Sequence, residues 1–248
     1  MDYFLSIKLD SMVSTMGELI ILLPTRNEEE GLGEVIERIP EVEIEKRGFS
    51  HRVIVIDGYS TDLTCEIANE KGVELIHQSG GIGKGNGVRQ AIDSILSRGV
   101  GEGDCLIMLD ADATYFPEEI PKFLDQLKEV EVVWGSRLRG KMEPGAMSKT
   151  NKFGNRILSL AASMVFLHRT TDLCTGFWGF RSGSLNRLSL TAEGFTLEAD
   201  LFGSVIGSKM STKEIPVDYA NRQGSSTLKW YKDGPRILIM TIRKRFSR

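Results

Sequence analysis

Two aspartates one residue apart, Asp110 and Asp112, close an apolar run in "LIMLDADATYFPEEI". Carboxylates at i and i+2 after a buried strand can share Mg2+ or Mn2+, and such hard cations complete their shell with substrate phosphates. The same pair could instead form a turn and cap the helix that Pro117 opens. Other reactive residue types also follow apolar runs: Asn27 and Glu28 in "PTRNEE", Asp57 in "DGYSTD", Arg137 in "GSR". The glycine-rich stretch 80–87, "GGIGKGNG", carries Lys84. It is no Walker loop, because Gln78 stands where a glycine is needed and Gly85 where Ser or Thr is needed. Nor is it a dinucleotide fingerprint, since Gly81 and Gly83 are followed by Asn86. It reads as a plain turn, or as a loop opening a helix from which Lys84 approaches a phosphate.

These residues need a frame that gathers them. Apolar runs at 19–23, 52–56, 73–76, 105–109 and 130–134 alternate with helical spacing at 29–39, 61–71, 87–96 and 117–128. Ser60 is in place to cap the second helix. Solid apolar strands between helices predict a mostly parallel sheet covered on both faces, an α/β fold. In open sheets of this kind ligands bind beyond the carboxyl ends of the strands. Glu28, Asp57, Asp110, Asp112 and Arg137 therefore share one edge. Beyond Gly135 the rhythm changes to a polar loop over 136–150. A helix follows over 151–167 with Phe153, Ile157, Leu160, Ala161 and Met164 on one side. Short strands near 177–180 and 213–219 flank a helix around 197–205. Trp134, Phe177, Trp178 and Phe180 read as core or as walls of a binding site, and Arg169 with Asp172 as an ion pair.

With 248 residues, 41% hydrophobic and 26% charged, the chain has the composition of one globular domain. Cys65, Cys105 and Cys174 match neither a disulfide framework nor zinc spacing, and no structural metal site is expected. No apolar run reaches the roughly 18–20 residues of a spanning helix, and no targeting signal is read. The charge is uneven. Residues 221–248 hold eight bases and one acid, +7, so the net −3 leaves −10 for residues 1–220. Bases interleaved with Ile237, Leu238, Ile239, Met240, Ile242 and Phe246 suit a solvated helix with one buried face, or a helix lying on an anionic membrane. The acidic body and the lack of an aromatic–basic platform argue against nucleic acid.

The blocks "LPTRNEEEGL", "VIVIDGYSTDLT", "GGIGKGNGVRQAI", "MLDADATYFPEEI", "WGSRLRG", "FGNRILSLAA", "TDLCTGFWGFR", "EIPVDYANRQGSS" and "WYKDG" come in the order seen in inverting family 2 glycosyltransferases of the GT-A fold. The chain resembles the polyprenyl-phosphate sugar synthases among them, the dolichyl-phosphate mannose or glucose synthase type. The resemblance implies a single Rossmann-like sheet with C-terminal amphipathic interface helices. It divides the chain into an extension (1–17), a GT-A domain (18–232) and a basic amphipathic helix (233–248). By position it implies that Pro24, Asn27, Glu28 and Asp57 line a nucleotide pocket with Lys84 and Gly85 near it. Asp110 and Asp112 would hold Mg2+ or Mn2+ against the diphosphate. Arg137 would lie near the sugar, Arg156 would face the acceptor phosphate, and Arg222 and Ser226 would close over the phosphates. The implied reaction moves a hexose or N-acetylhexosamine from a nucleotide sugar to polyprenyl (dolichyl) phosphate at the cytoplasmic membrane face, by a peripherally associated protein. "DADATY" and "DGYSTD" favour a UDP-sugar, with GDP-mannose the other donor. A glycan or small hydroxyl acceptor, for which Glu198 or Asp200 could be the base, and a non-catalytic nucleotide-sugar-binding protein are the alternatives.

Overall fold

A computed structural model of the chain describes residues 17–223 and 230–246; residues 1–16 of the expected extension (1–17) and Ser226 lie outside the described residues. In chain order the elements are β1 (Gly17–Thr25), α1 (Leu32–Glu37), α2 (Glu41–Glu45), β2 (Phe49–Asp57), α3 (Thr64–Glu70), β3 (Glu74–His77), α4 (Lys84–Ser97) and β4 (Cys105–Met108). A 3₁₀ turn at Pro117–Glu119 leads into α5 (Ile120–Leu127). Then come β5 (Val132–Ser136), α6 (Lys149–Phe166), β6 (Trp178–Arg181), α7 (Ser182–Leu185), α8 (Leu197–Gly207), β7 (Thr212–Pro216) and α9 (Trp230–Phe246).

The seven strands form one sheet in the order β3-β2-β1-β4-β6-β5-β7. All run in one direction except β6, which pairs antiparallel with both β4 and β5. The α/β fold expected from the alternating pattern is thus present, with one reversed strand inserted between β4 and β5. Alternation within β1 shows how the sheet is buried twice: Ile20 and Leu22 face one apolar layer, Leu19, Ile21 and Leu23 the other. Trp134, Phe177, Trp178 and Phe180 are fully buried, as core residues should be.

Two local expectations fail for one reason. The helix expected over 61–71 begins only at Thr64 and has no side-chain cap. Ser60 is otherwise engaged: its N–H donates to Asp57 Oδ1 (3.1 Å), and its hydroxyl accepts the Asn27 N–H (2.9 Å). Loop-to-loop hydrogen bonding has taken the residue that local spacing assigned to the helix.

In α6 the buried residues are Asn155, Ser159, Ala162 and Phe166. The apolar side read from its spacing, Phe153, Ile157, Leu160 and Met164, is 51–65% exposed. α9 lies alongside α6 and α8. It buries Ile237 and Thr241 while exposing Ile239, Ile242 and Phe246. Among the described residues, no helix is long and apolar enough to cross a membrane.

Candidate active site

At the carboxyl edge of the sheet two close approaches assemble the site. Gly31 lies against the loop after β4: a Cβ there would come within 2.8 Å of the Ala111 carbonyl oxygen. Only a glycine lets the loop after β1 approach this far, and it sets Glu28 beside Asp112. Gly176, just before β6, abuts the Asp110 carboxylate, which any side chain at that position would displace.

Asp112 divides its two oxygens between a local turn and a distant cation. Its Oδ1 accepts the Thr114 N–H (3.1 Å) and hydroxyl (2.6 Å), closing a turn. Its Oδ2 faces Arg222 Nη1 at 3.1 Å. The helical turn at Pro117 has no side-chain cap, so capping is not what this residue does. Arg222 also reaches Glu28 Oε1 at 2.5 Å. Lys84 Nζ lies 2.6 Å from Asp110 Oδ1 and 2.7 Å from Glu198 Oε1, at the start of α8. Gly85 makes this reach possible, because α4 opens directly against the Ala192 carbonyl.

Four carboxylates, Glu28, Asp110, Asp112 and Glu198, therefore surround two cations. Burial pushes the Glu28 carboxyl up to about 7 against the pull of Arg222, with Asp112 and Asp110 adding to the rise. Burial, then the neighbouring Asp110, raises Asp112. Burial opposes ionisation of Asp110 too, but Lys84, with Arg137 and Arg222 behind it, holds that carboxyl below its usual value. A surplus of hard oxygen donors at the mouth of a strand fits a divalent ion such as Mg2+ or Mn2+.

Arg137 is buried rather than free. Its N–H, Nε and Nη2 all donate to Asp172 at 2.8–2.9 Å, and Nη2 donates to the Cys174 carbonyl oxygen at 2.6 Å. The expected Arg169–Asp172 pair is thus corrected, because Asp172 is consumed by Arg137. Asn155, on the inner face of α6, donates to Asp172 Oδ1 at 2.6 Å. Arg137 also lies over the Tyr219 ring, 5.1 Å from its centroid.

Asp57 lies on the same sheet edge, apart from Asp110 and Asp112. It ends β2, with β1 between it and β4. Two strand spacings, about 9–10 Å, keep it from sharing an ion with Asp110. It forms a separate subsite near Pro24, the penultimate residue of β1, and Asn27, whose Oδ1 accepts the Thr61 N–H at 2.8 Å. Asn27 and Tyr59 hold left-handed backbone there, φ 54° and 64°. Arg156 is exposed on α6, and among the described residues no hydrogen bond or ion pair joins it to the carboxylate cluster. Sequence reasoning missed Asp172, Asn155 and Gly176. The "TDLCTGF" block held two of them, but their partners lie on other elements.

The family model for glycosyl transferase family 2 matches residues 20–189. Glycosyltransferase AglJ of Haloferax volcanii is 34% identical over 93% of this chain and 73% of its own. A dolichyl-phosphate hexose transferase of the same organism is 30% identical over 90% of this chain and 92% of its own. Against the hexosyltransferase Agl6, at 29% identity, the chain spans only about half the relative's length (51%). Among solved structures, Mycobacterium tuberculosis glucosyl-3-phosphoglycerate synthase, in complex with Mn2+, UDP and product, superposes with a TM-score of 0.70 at 20% identity. The match covers 95% of this chain and 83% of that one, a likeness of fold. The strand-end carboxylates, the mostly parallel sheet and these matches converge: the chain is a glycosyltransferase that belongs to family 2 and has the GT-A fold.

Proposed function

We propose that this glycosyltransferase transfers a sugar from a nucleotide diphosphate sugar, a UDP-sugar before GDP-mannose, to a polyprenyl phosphate while docked on a membrane surface. One observation carries the reading: α6 shows lipid-compatible residues outward, and its inner face hydrogen-bonds to the loop that holds Arg137. Phe153, Ile157, Leu160 and Met164 project from α6, and Ile239, Ile242 and Phe246 from the adjacent α9. Lys152, Arg156 and Arg245 accompany them, as expected of an interfacial surface facing anionic lipid. The dolichyl-phosphate and polyprenol relatives support the acceptor class.

Asp110 and Asp112 would hold a Mg2+ or Mn2+, which supplies positive charge opposite the departing nucleoside diphosphate. Arg222 and Lys84 contribute further charge on the same side, the principal electrostatic task in such a transfer. Asp57, two strands from Asp110, and Asn27, in the loop after β1, suit the base end of the nucleotide. Arg137, with its guanidinium fixed by Asp172, and Arg156 on the outward helix are the candidates for phosphate binding, where a planar fork is effective. A phosphate monoester is already ionised at neutral pH, with its second pKa near 6. No base is needed to generate the nucleophile, and Glu198 is occupied by Lys84. Inversion follows from in-line attack on the anomeric carbon.

The test is direct. Purified protein with Mn2+, UDP- or GDP-sugars and polyprenyl phosphate should yield a chloroform-soluble glycolipid from at least one donor. If no donor yields one, and a hydroxyl acceptor is glycosylated instead, the polyprenyl-phosphate reading is wrong.

A further inference from the structure

A second constellation lies outside the carboxylate cluster. Asp57 and His77 are register partners on β2 and β3, each the last residue of its strand. Side chains at paired positions of neighbouring strands leave the same face of a sheet, so register alone brings these two together. The crossover between the strands is α3, and its second residue, Cys65, comes down on that face. The His77 Nδ1 is 3.4 Å from Asp57 Oδ2. One nitrogen, one sulfur and one carboxylate oxygen from the three residues all lie within 4.8 Å of one another.

The geometry points to a binding site for a borderline-soft divalent cation of the Zn2+ class at Asp57, Cys65 and His77, overlapping the base end of the nucleotide pocket. The overlap rests on the reading that Asp57 faces the nucleotide. Mixed imidazole, thiolate and carboxylate donors select Zn2+ or Co2+ over Mg2+, whereas Asp110 and Asp112 offer only hard oxygen. Three protein ligands leave a fourth position for water, an ordinary zinc arrangement. The surroundings are also suitable. Asp57 is 4% exposed, and its Oδ1 is fixed by the Ser60 N–H, leaving Oδ2 for the ion. His77 is 66% exposed in its side chain, so it can rotate inward by the ångström that zinc distances require. The Cys65 thiol is the one group that must change state. Burial, then the charge of Asp57, pushes it up to about 11, so its proton stays in place until a cation replaces it. Binding therefore releases one proton and makes the Asp57 carboxylate unavailable to a nucleotide.

Cobalt reports such a site directly. Titrating the full-length protein with Co2+, without nucleotide, should produce the intense near-ultraviolet absorption of a thiolate–cobalt bond, and Zn2+ should abolish it. Cys65→Ser should remove the band, His77→Gln should weaken the Co2+ affinity read from the band at least about tenfold, and Asp112→Asn should leave the band unchanged. Absence of the band, or its persistence in Cys65→Ser, overturns the site. Adding UDP should weaken Co2+ binding about tenfold; an unchanged affinity overturns the overlap. Calorimetry of UDP with Cys65→Ser and Mn2+ then distinguishes the two failures, because loss of UDP binding there would count against the nucleotide reading rather than against the metal site.

Discussion

At the scale of single residues, the site is built from charges that constrain one another. Asp112 has one oxygen tied to Thr114 and the other turned to Arg222, so replacing it with Asn preserves the turn and removes the charge. Asp112→Asn should lower transfer at least about 100-fold, in line with loss of a charge-stabilising group, while far-UV circular dichroism stays unchanged. Loss of fold instead of activity would make Asp112 a structural residue. Cys65 gives a pH prediction with a definite sign. A thiol raised to about 11 is almost wholly protonated at pH 8. Alkylation by iodoacetamide should therefore be slow there and should quicken about tenfold per pH unit as pH approaches that value. Asp57→Asn removes the largest of the neighbouring charges that raise it and should accelerate labelling at pH 8; slower labelling would mean that Asp57 does not act on this thiol.

At the scale of elements, α6 carries two unlike faces for two purposes. Its inner face is polar over the first turns, with Asn155 bound to Asp172 and Ser159 Oγ accepting the Leu173 N–H at 2.9 Å, before Ala162 and Phe166 join the core. The outer face is apolar and exposed. An exposed side chain contributes little to folding, so Ile157→Ser with Leu160→Ser should shift stability by no more than about 0.5 kcal/mol per site. Sedimentation with anionic vesicles should nevertheless fall markedly, since apolar insertion is removed while the bases remain. Unchanged sedimentation would mean that this face does not meet lipid.

At the scale of the molecule, α9 is fastened to the body by a buried ion pair. Lys244 Nζ lies 2.6 Å from Asp200 Oδ1, with side chains 8% and 0% exposed. Asp200 also accepts the N–H groups of Thr191 and Ala192, the segment on which Gly85 rests. The last helix is thus connected through α8 to the start of α4, which carries Lys84. Lys244→Met leaves Asp200 buried without its cation and should cost about 3–5 kcal/mol by thermal unfolding. A loss below about 1 kcal/mol would show that the two backbone donors satisfy Asp200 unaided.

The layered α/β architecture was legible in the sequence, because apolar runs and helical spacing are local patterns that hold wherever the chain goes. So were the groups that reach the ligand-binding edge, since a residue after a strand leaves at that strand's carboxyl end. The family was legible in nine ordered blocks for the same reason. Only the tertiary structure decided which charges meet. Arg137 takes Asp172, 35 residues away, and Lys84 takes Glu198, 114 residues away. No spacing rule spans such separations. The strand order likewise put β1 between Asp57 and Asp110, which sets their separation along the shared edge. The outward turn of α6 was also undecided locally: periodicity shows that a helix has two faces, and only its neighbours determine which of them is buried.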